Sequence, residues 1–137
     1  MNHWLVKSEP SVYSWDDLLA DKRTDWSGVR NFQASNNLKA MKKGDRAFFY
    51  HSGAGPAIVG IAEVMREYYP DPSDKAGRFG MVDLAAVMAM KKPVSLAEIK
   101  AEARLAGFAL VRQGRLSVVP VSAAEWKLIC AMGQTKG

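Results

Sequence analysis

Ala57-Ile-Val-Gly-Ile-Ala-Glu-Val-Met65 is the stretch that decides the architecture. It is apolar on both faces and rich in β-branched residues, the pattern of a strand covered on both sides. Gly60 interrupts it, and a glycine inside a strand marks a bulge or a tight bend. Just upstream, Arg46-Ala-Phe-Phe-Tyr-His51 reads as a strand by its aromatic content, joined to the first by the loop Ser52-Gly-Ala-Gly-Pro56. Downstream, Tyr68-Tyr-Pro-Asp-Pro72 is expected to break the ladder twice. Ser73 to Gly80 is expected to be a mobile loop, and Met81 to Met90 another strand, with Val82, Leu84, Met88 and Met90 alternating on one face.

Helices fill the spaces between. Ser14 three residues before Asp17, Ser95 before Glu98 and Ser122 before Glu125 are capping patterns. They predict helices to about Ala20, Ala106 and Met132. Asn31 or a near neighbour caps a further helix to about Lys42, with Ala34, Leu38 and Met41 as its buried stripe and Gly44 just past its end. Trp4 to Ser8 reads as a first strand, ended by Glu9-Pro10. Asp21 to Asp25 reads as a polar connection. Leu110-Val-Arg112, Gln113-Gly114 and Arg115 to Val119 read as a hairpin or a kinked strand pair. Strands interleaved with capped helices predict one α+β domain over residues 1–137. With Gly60 and Gly114 placed where strands must bend, its centre is expected to be a strongly curved or barrel-like sheet.

A chain of 137 residues, 48% apolar, suits a single globular core. No run is long enough to span a bilayer, and the N-terminus lacks the pattern of a secretory signal. The single cysteine, Cys130, permits no internal disulfide. An intracellular, cytoplasmic and monomeric protein is the expectation, with Cys130 a buried structural thiol. The net charge of +5 favours a polyanionic partner.

Trp26-Ser-Gly-Val-Arg-Asn31, running into Phe32-Gln-Ala-Ser-Asn-Asn-Leu38, is unlike core sequence. Trp26 offers a flat apolar wall with one N–H. Gly28 lets the chain turn where a Cβ would clash. Arg30 can clamp an anion or stack on a ring. Asn31, Gln33, Asn36 and Asn37 each carry a donor and an acceptor, the equipment for reading the edge of a heterocycle. The stretch is expected to form one wall of a nucleobase pocket, with Lys7-Ser8-Glu9 and Tyr50-His51-Ser52 supplying the rest.

Trp4-Leu-Val-Lys-Ser-Glu-Pro10, Trp26-x-Gly-Val-Arg-Asn31, Gly44-Asp45, Phe49-Tyr-His-Ser52, Ile61-Ala-Glu-Val64, Tyr69-Pro-Asp71 and Arg115-Leu-Ser-Val118 follow one another along nearly the whole chain. Together they resemble the EVE domain family. That resemblance implies a PUA-like fold, a small and highly curved β-barrel with flanking helices. It also implies a reader of modified nucleobases without catalytic activity, related to the YTH domains that bind N6-methyladenosine in RNA. The chain departs from the family pattern at Ser35, where an arginine is usual, and in the compact segment after Asp71.

The expected nucleobase-binding set is Lys7, Ser8, Glu9, Trp26, Val29, Arg30, Asn31, Tyr50, His51 and Ser52. Lys39, Lys42, Lys43, Arg112 and Arg115 are candidates for the nucleic-acid backbone, DNA or RNA, although Arg115 suits a buried carboxylate equally well. No cofactor or metal is expected, because His3 and His51 are the only histidines and no Cys/His spacing supports a site. Two rival readings are an enzyme using Glu9 and His51 as acid and base, and a partner-binding structural domain.

Overall fold

The computed structural model describes residues 1–137. Six strands form one sheet: β1 (His3–Ser8), β2 (Arg23–Asp25), β3 (Arg46–His51), β4 (Ala57–Pro70), β5 (Gly80–Ser95) and β6 (Val118–Val121). Their order is β2-β5-β4-β3-β1-β6. β1 runs parallel to β3, and every other pair is antiparallel. Five helices accompany the sheet: α1 (Trp15–Asp21), α2 (Phe32–Ala40), α3 (Leu96–Ala101), α4 (Ala109–Arg112) and α5 (Ala123–Met132).

The barrel expected from the glycines does not form. β2 and β6 are the edges of the sheet and do not pair with each other. The sheet nevertheless curls. α2 packs against β6 as well as against β4 and β5. In a flat sheet β5 and β6 would be about 19 Å apart, four strand spacings of roughly 4.8 Å. A helix is only about 10–12 Å across. α2 therefore occupies the concave side and covers core that sheet closure would otherwise cover. Leu38 and Met41 are wholly buried beneath it, with Phe48, Phe49, Ile58, Ile61 and Leu84 from the central strands.

Gly60 has a second role besides bending. The β4–β5 register shifts beside it, since Ile58 pairs with Val94 while Gly60 pairs with Ala89. A Cβ on Gly60 would also lie 2.6 Å from the indole carbons of Trp15. The glycine is the seat on which α1 docks. All three serine capping boxes form, at Ser14, Ser95 and Ser122.

Several expected boundaries are corrected. β4 runs through Tyr68 and Tyr69 to Pro70 instead of breaking there. Past Glu63 it has lost β3 as a neighbour and is an edge, where a proline is tolerated. Arg23–Asp25 is a short strand on β5. Leu110–Arg112 lies in a helical turn, and the strand that follows pairs with β1, so no hairpin forms. α2 ends at Ala40, because the carboxylate of Asp45 takes the N–H of Lys42 at 3.0 Å. Lys42 to Gly44 therefore form a turn. α3 is likewise short, ending at Ala101 before a 3₁₀ turn at Ala103–Leu105. Cys130 is buried, as its helical setting predicts. No helix is long and apolar enough to cross a membrane.

Candidate functional site

The segment Trp26–Asn31 is fastened at both ends. The Trp26 N–H donates to the carbonyl of Val82 at 2.7 Å. Asn31 caps α2, its Oδ1 accepting the Ala34 N–H at 2.9 Å. Between them Gly28 takes φ +83°, a conformation glycine adopts without strain. Its N–H donates to Asp71 Oδ2 at 2.8 Å. The Arg30 guanidinium reaches the same oxygen at 3.3 Å and Ser73 Oγ at 2.8 Å. Asp71 Oδ1 also accepts from the Ser73 N–H and hydroxyl, at 2.8 and 2.6 Å.

Burial alone would raise the Asp71 pKa. The Ser73 hydroxyl, the N–H groups of Gly28 and Ser73, and Arg30 outweigh it and bring the pKa to about 2. A buried anion thus ties the Trp26–Asn31 loop to the far end of β4. Sequence reading placed Asp71 in a family motif but gave it no such task, because the loop residues it holds, Gly28 and Arg30, lie 43 and 41 residues away.

A cleft of about 450 Å³ opens beside this loop. Lys7 and Ser8 from the end of β1 meet Val12 and Tyr13, the run from Thr24 to Asn31, and Ser117. Six expected residues therefore line one space: Lys7, Ser8, Trp26, Val29, Arg30 and Asn31. Trp26 is only 9% exposed. Its ring stands edge-on to Phe49 at 5.5 Å and to Tyr13 at 6.3 Å, so it belongs to the core and to the cleft wall at once. Lys7 Nζ donates to the carbonyl of Gly114 at 2.8 Å, and burial lowers its pKa. Ser8 Oγ donates to the carbonyl of Tyr13 at 2.6 Å. Both side chains hold loops that frame the cleft. Tyr13, Ser27 and Ser117 are lining residues that sequence reading did not single out.

The other expected residues lie elsewhere. Tyr50 is buried, with Lys7 Nζ 5.8 Å from its ring centroid. His51 Nε2 accepts the Trp15 N–H at 3.0 Å, and burial lowers its pKa. The Ser52 N–H donates to the carbonyl of Ser8. The Glu9 carbonyl accepts from Val12 and Tyr13, while the residue is exposed. These four lie behind or beside the cleft rather than on its lining. A second cavity of about 360 Å³, lined by Asn31, Gln33, Gln113, Gly114, Arg115 and Leu116, shares Asn31 with the first. Arg115 makes no ion pair. Lys39, Lys42, Lys43 and Arg112 line neither cavity. Lys39 Nζ lies 5.4 Å from the Tyr68 ring centroid. Ser35 is buried and bonded to the Tyr68 hydroxyl at 3.0 Å. No three His, Cys, Asp or Glu side chains gather into a metal-binding group.

Residues 2–132 match the EVE domain family. The chain belongs to the EVE domain family. Human thymocyte nuclear protein 1 is 35% identical over 165 residues, covering 96% of this EVE domain and 73% of the human protein. The structure of Rpa0253 from Rhodopseudomonas palustris is 55% identical, with a TM-score of 0.93, covering 98% of this chain and 94% of that one. The human THYN1 protein, solved in complex with 5-methylcytosine containing DNA, is 34% identical with a TM-score of 0.91 over 100% of both chains. The YTH domain of Zygosaccharomyces rouxii MRB1 shares the fold, with a TM-score of 0.62 at 16% identity over 96% of this chain and 86% of that one.

Proposed function

We propose that this EVE domain is a binding module that takes one modified nucleobase of a nucleic-acid strand into the cleft beside Trp26. The observation that carries the proposal is the convergence of Lys7, Ser8 and Trp26–Asn31 on one cleft of about 450 Å³. That volume lies within the range of small-ligand sites, roughly 300–1,000 Å³. The likeness to the THYN1 protein, solved with 5-methylcytosine containing DNA, makes that base the first probe.

Trp26 and Val29 supply apolar wall. The Ser27 hydroxyl and the Asn31 Nδ2 make no hydrogen bond within the protein, so they are free to meet a base edge. Lys7, Ser8, Glu9, Tyr50, His51 and Ser52 shape and brace the space, and Arg30 is prepositioned by Asp71. A buried methyl group is worth about 0.8 kcal/mol, close to a fourfold preference. Arg115 and Arg112, with Lys39 near the end of α2 and Lys42 and Lys43 in the turn after it, are assigned to the flanking phosphates.

The proposal gives Glu9 and His51 no catalytic role. The Nε2 lone pair of His51 is occupied by the Trp15 N–H, so a base at that atom would first have to break α1's attachment. The test is a binding screen of oligonucleotides differing in one modified base, at two salt concentrations, with mass spectrometry of the recovered strand. The expected result is preference for a modified base, a shallow loss of affinity with salt because few phosphates are neutralised, and no product. Equal binding of modified and unmodified strands, or a converted base, overturns the proposal.

A further inference from the structure

Phe32 is the most exposed aromatic side chain among the large apolar residues at the surface, at 62%. Isolated apolar side chains at a surface are ordinary. The setting of this one is not. It is the first residue of α2, directly after Asn31, which lines both cavities. Its ring rests on Phe79, with centroids 4.9 Å apart and planes inclined by 36°. Phe79 is itself buried.

Two guanidinium groups lean on the same Phe79 ring. Arg30 and Arg78 each place Cζ 5.8 Å from its centroid. Arg30 lines the first cleft, so the Phe32 ring and a cleft wall share one support. Arg78 makes no ion pair. The support is fixed from below, because Asp74 Oδ2 accepts the N–H groups of Arg78 and Phe79 at 2.8 and 2.7 Å. The result is an exposed ring resting on a fixed ring that also carries two cations, and aromatic rings with nearby cations bind unpaired bases without regard to sequence.

We infer that Phe32, backed by the Phe79 ring on which Arg30 and Arg78 also lie, is a stacking platform for the nucleotide next to the base held in the cleft. The inference rests on the nucleobase reading of that cleft. It adds that the ligand is an unstacked strand of at least two nucleotides, and that affinity and base preference are carried by different aromatic residues. Phe32 supplies affinity that every base can share, whereas the Trp26 cleft supplies discrimination.

The test measures binding of single-stranded DNA containing one 5-methylcytosine, and of the same strands made abasic at its 5′ or its 3′ neighbour. The proteins are wild type, Phe32→Ala and Phe32→Trp. Phe32→Ala is expected to melt like wild type, to lose about 5- to 150-fold affinity for the intact strand, and to keep its preference for the modified base. Phe32→Trp is expected to retain binding. Removing the base on the stacked side is expected to weaken wild type by a similar factor and Phe32→Ala hardly at all. Undiminished binding of the intact strand by a folded Phe32→Ala overturns the platform. So does a loss that is equally large on both abasic strands. Wild type that binds methylated and unmethylated strands alike overturns the cleft reading itself, and shows it before any variant is made.

Discussion

Asp71 accepts the N–H of Gly28 at 2.8 Å and the guanidinium of Arg30 at 3.3 Å through the same carboxylate oxygen. One buried carboxylate therefore sets both the turn and the cation of the proposed recognition loop. Asp71→Ala would leave Gly28 and Ser73 donors unsatisfied and Arg30 unpaired. We expect a loss of about 2–3 kcal/mol of stability by urea unfolding, and weaker binding, from a protein that is still folded. Asp71→Ala with unchanged stability would show that the loop is held by other contacts.

The same pair predicts an acid dependence. The folded pKa of Asp71, about 2, lies below the ordinary 3.8. Its contribution is complete above about pH 4 and is lost as pH falls towards 2. The stability difference between wild type and Asp71→Asn should shrink over that window. A difference that is constant from pH 5 to pH 2 would remove the charge from the account.

Trp26→Ala should damage folding as well as binding. With Trp26 only 9% exposed against Phe49 and Tyr13, the loss expected is about 3–5 kcal/mol. Trp26→Phe keeps a ring in that space and should cost less stability while still reducing base preference. Calorimetry and binding on both variants separate the two roles. A Trp26→Phe protein with full stability and full preference would take the indole out of recognition.

His51 predicts a second pH effect, at milder acidity. Burial lowers its pKa below 6.5, and Nε2 accepts the Trp15 N–H. Its contribution is present above pH 6.5 and is lost as pH falls below that value, since protonation removes the acceptor. His51→Ala should cost about 1–2 kcal/mol at pH 7. It should also flatten part of the decline below pH 6.5. The remainder belongs to His3, whose pKa is lowered by burial and by the N-terminal charge. An unaltered decline in the variant would refute the assignment.

Gly60→Ala places a methyl group 2.6 Å from the Trp15 indole. Trp15 is 5% exposed and cannot retreat without lifting α1 from the sheet. We expect destabilisation of about 1–3 kcal/mol, read as a lower melting temperature. A neutral Gly60→Ala would mean that α1 docks loosely.

The sequence by itself determined what depends on neighbours within a turn or a strand. The capping boxes at Ser14, Ser95 and Ser122 formed because a serine and an acid three residues on satisfy each other's local N–H groups. The aromatic run Arg46–His51 became a central strand, and Asn31 capped α2. The motif Trp26–Asn31 stood out because Gly28, Arg30 and Asn31 are unlike core residues, but Trp26 and Val29 within it are buried in the core. Only the tertiary structure decided which distant partner each segment meets. Leu110–Arg112 coiled into a helical turn instead of pairing, since Val118–Val121 found β1 and Lys7 captured the Gly114 carbonyl. The sheet stayed open because α2 occupies its concave side. Tyr50 was buried in the core and His51 Nε2 was taken by the Trp15 N–H, so neither reached the cleft lining. Asp71 acquired its role from Gly28 and Arg30, which the chain brings to it only by folding β4 and β5 together. Long-range pairing is a competition among many segments of similar propensity, and packing settles it.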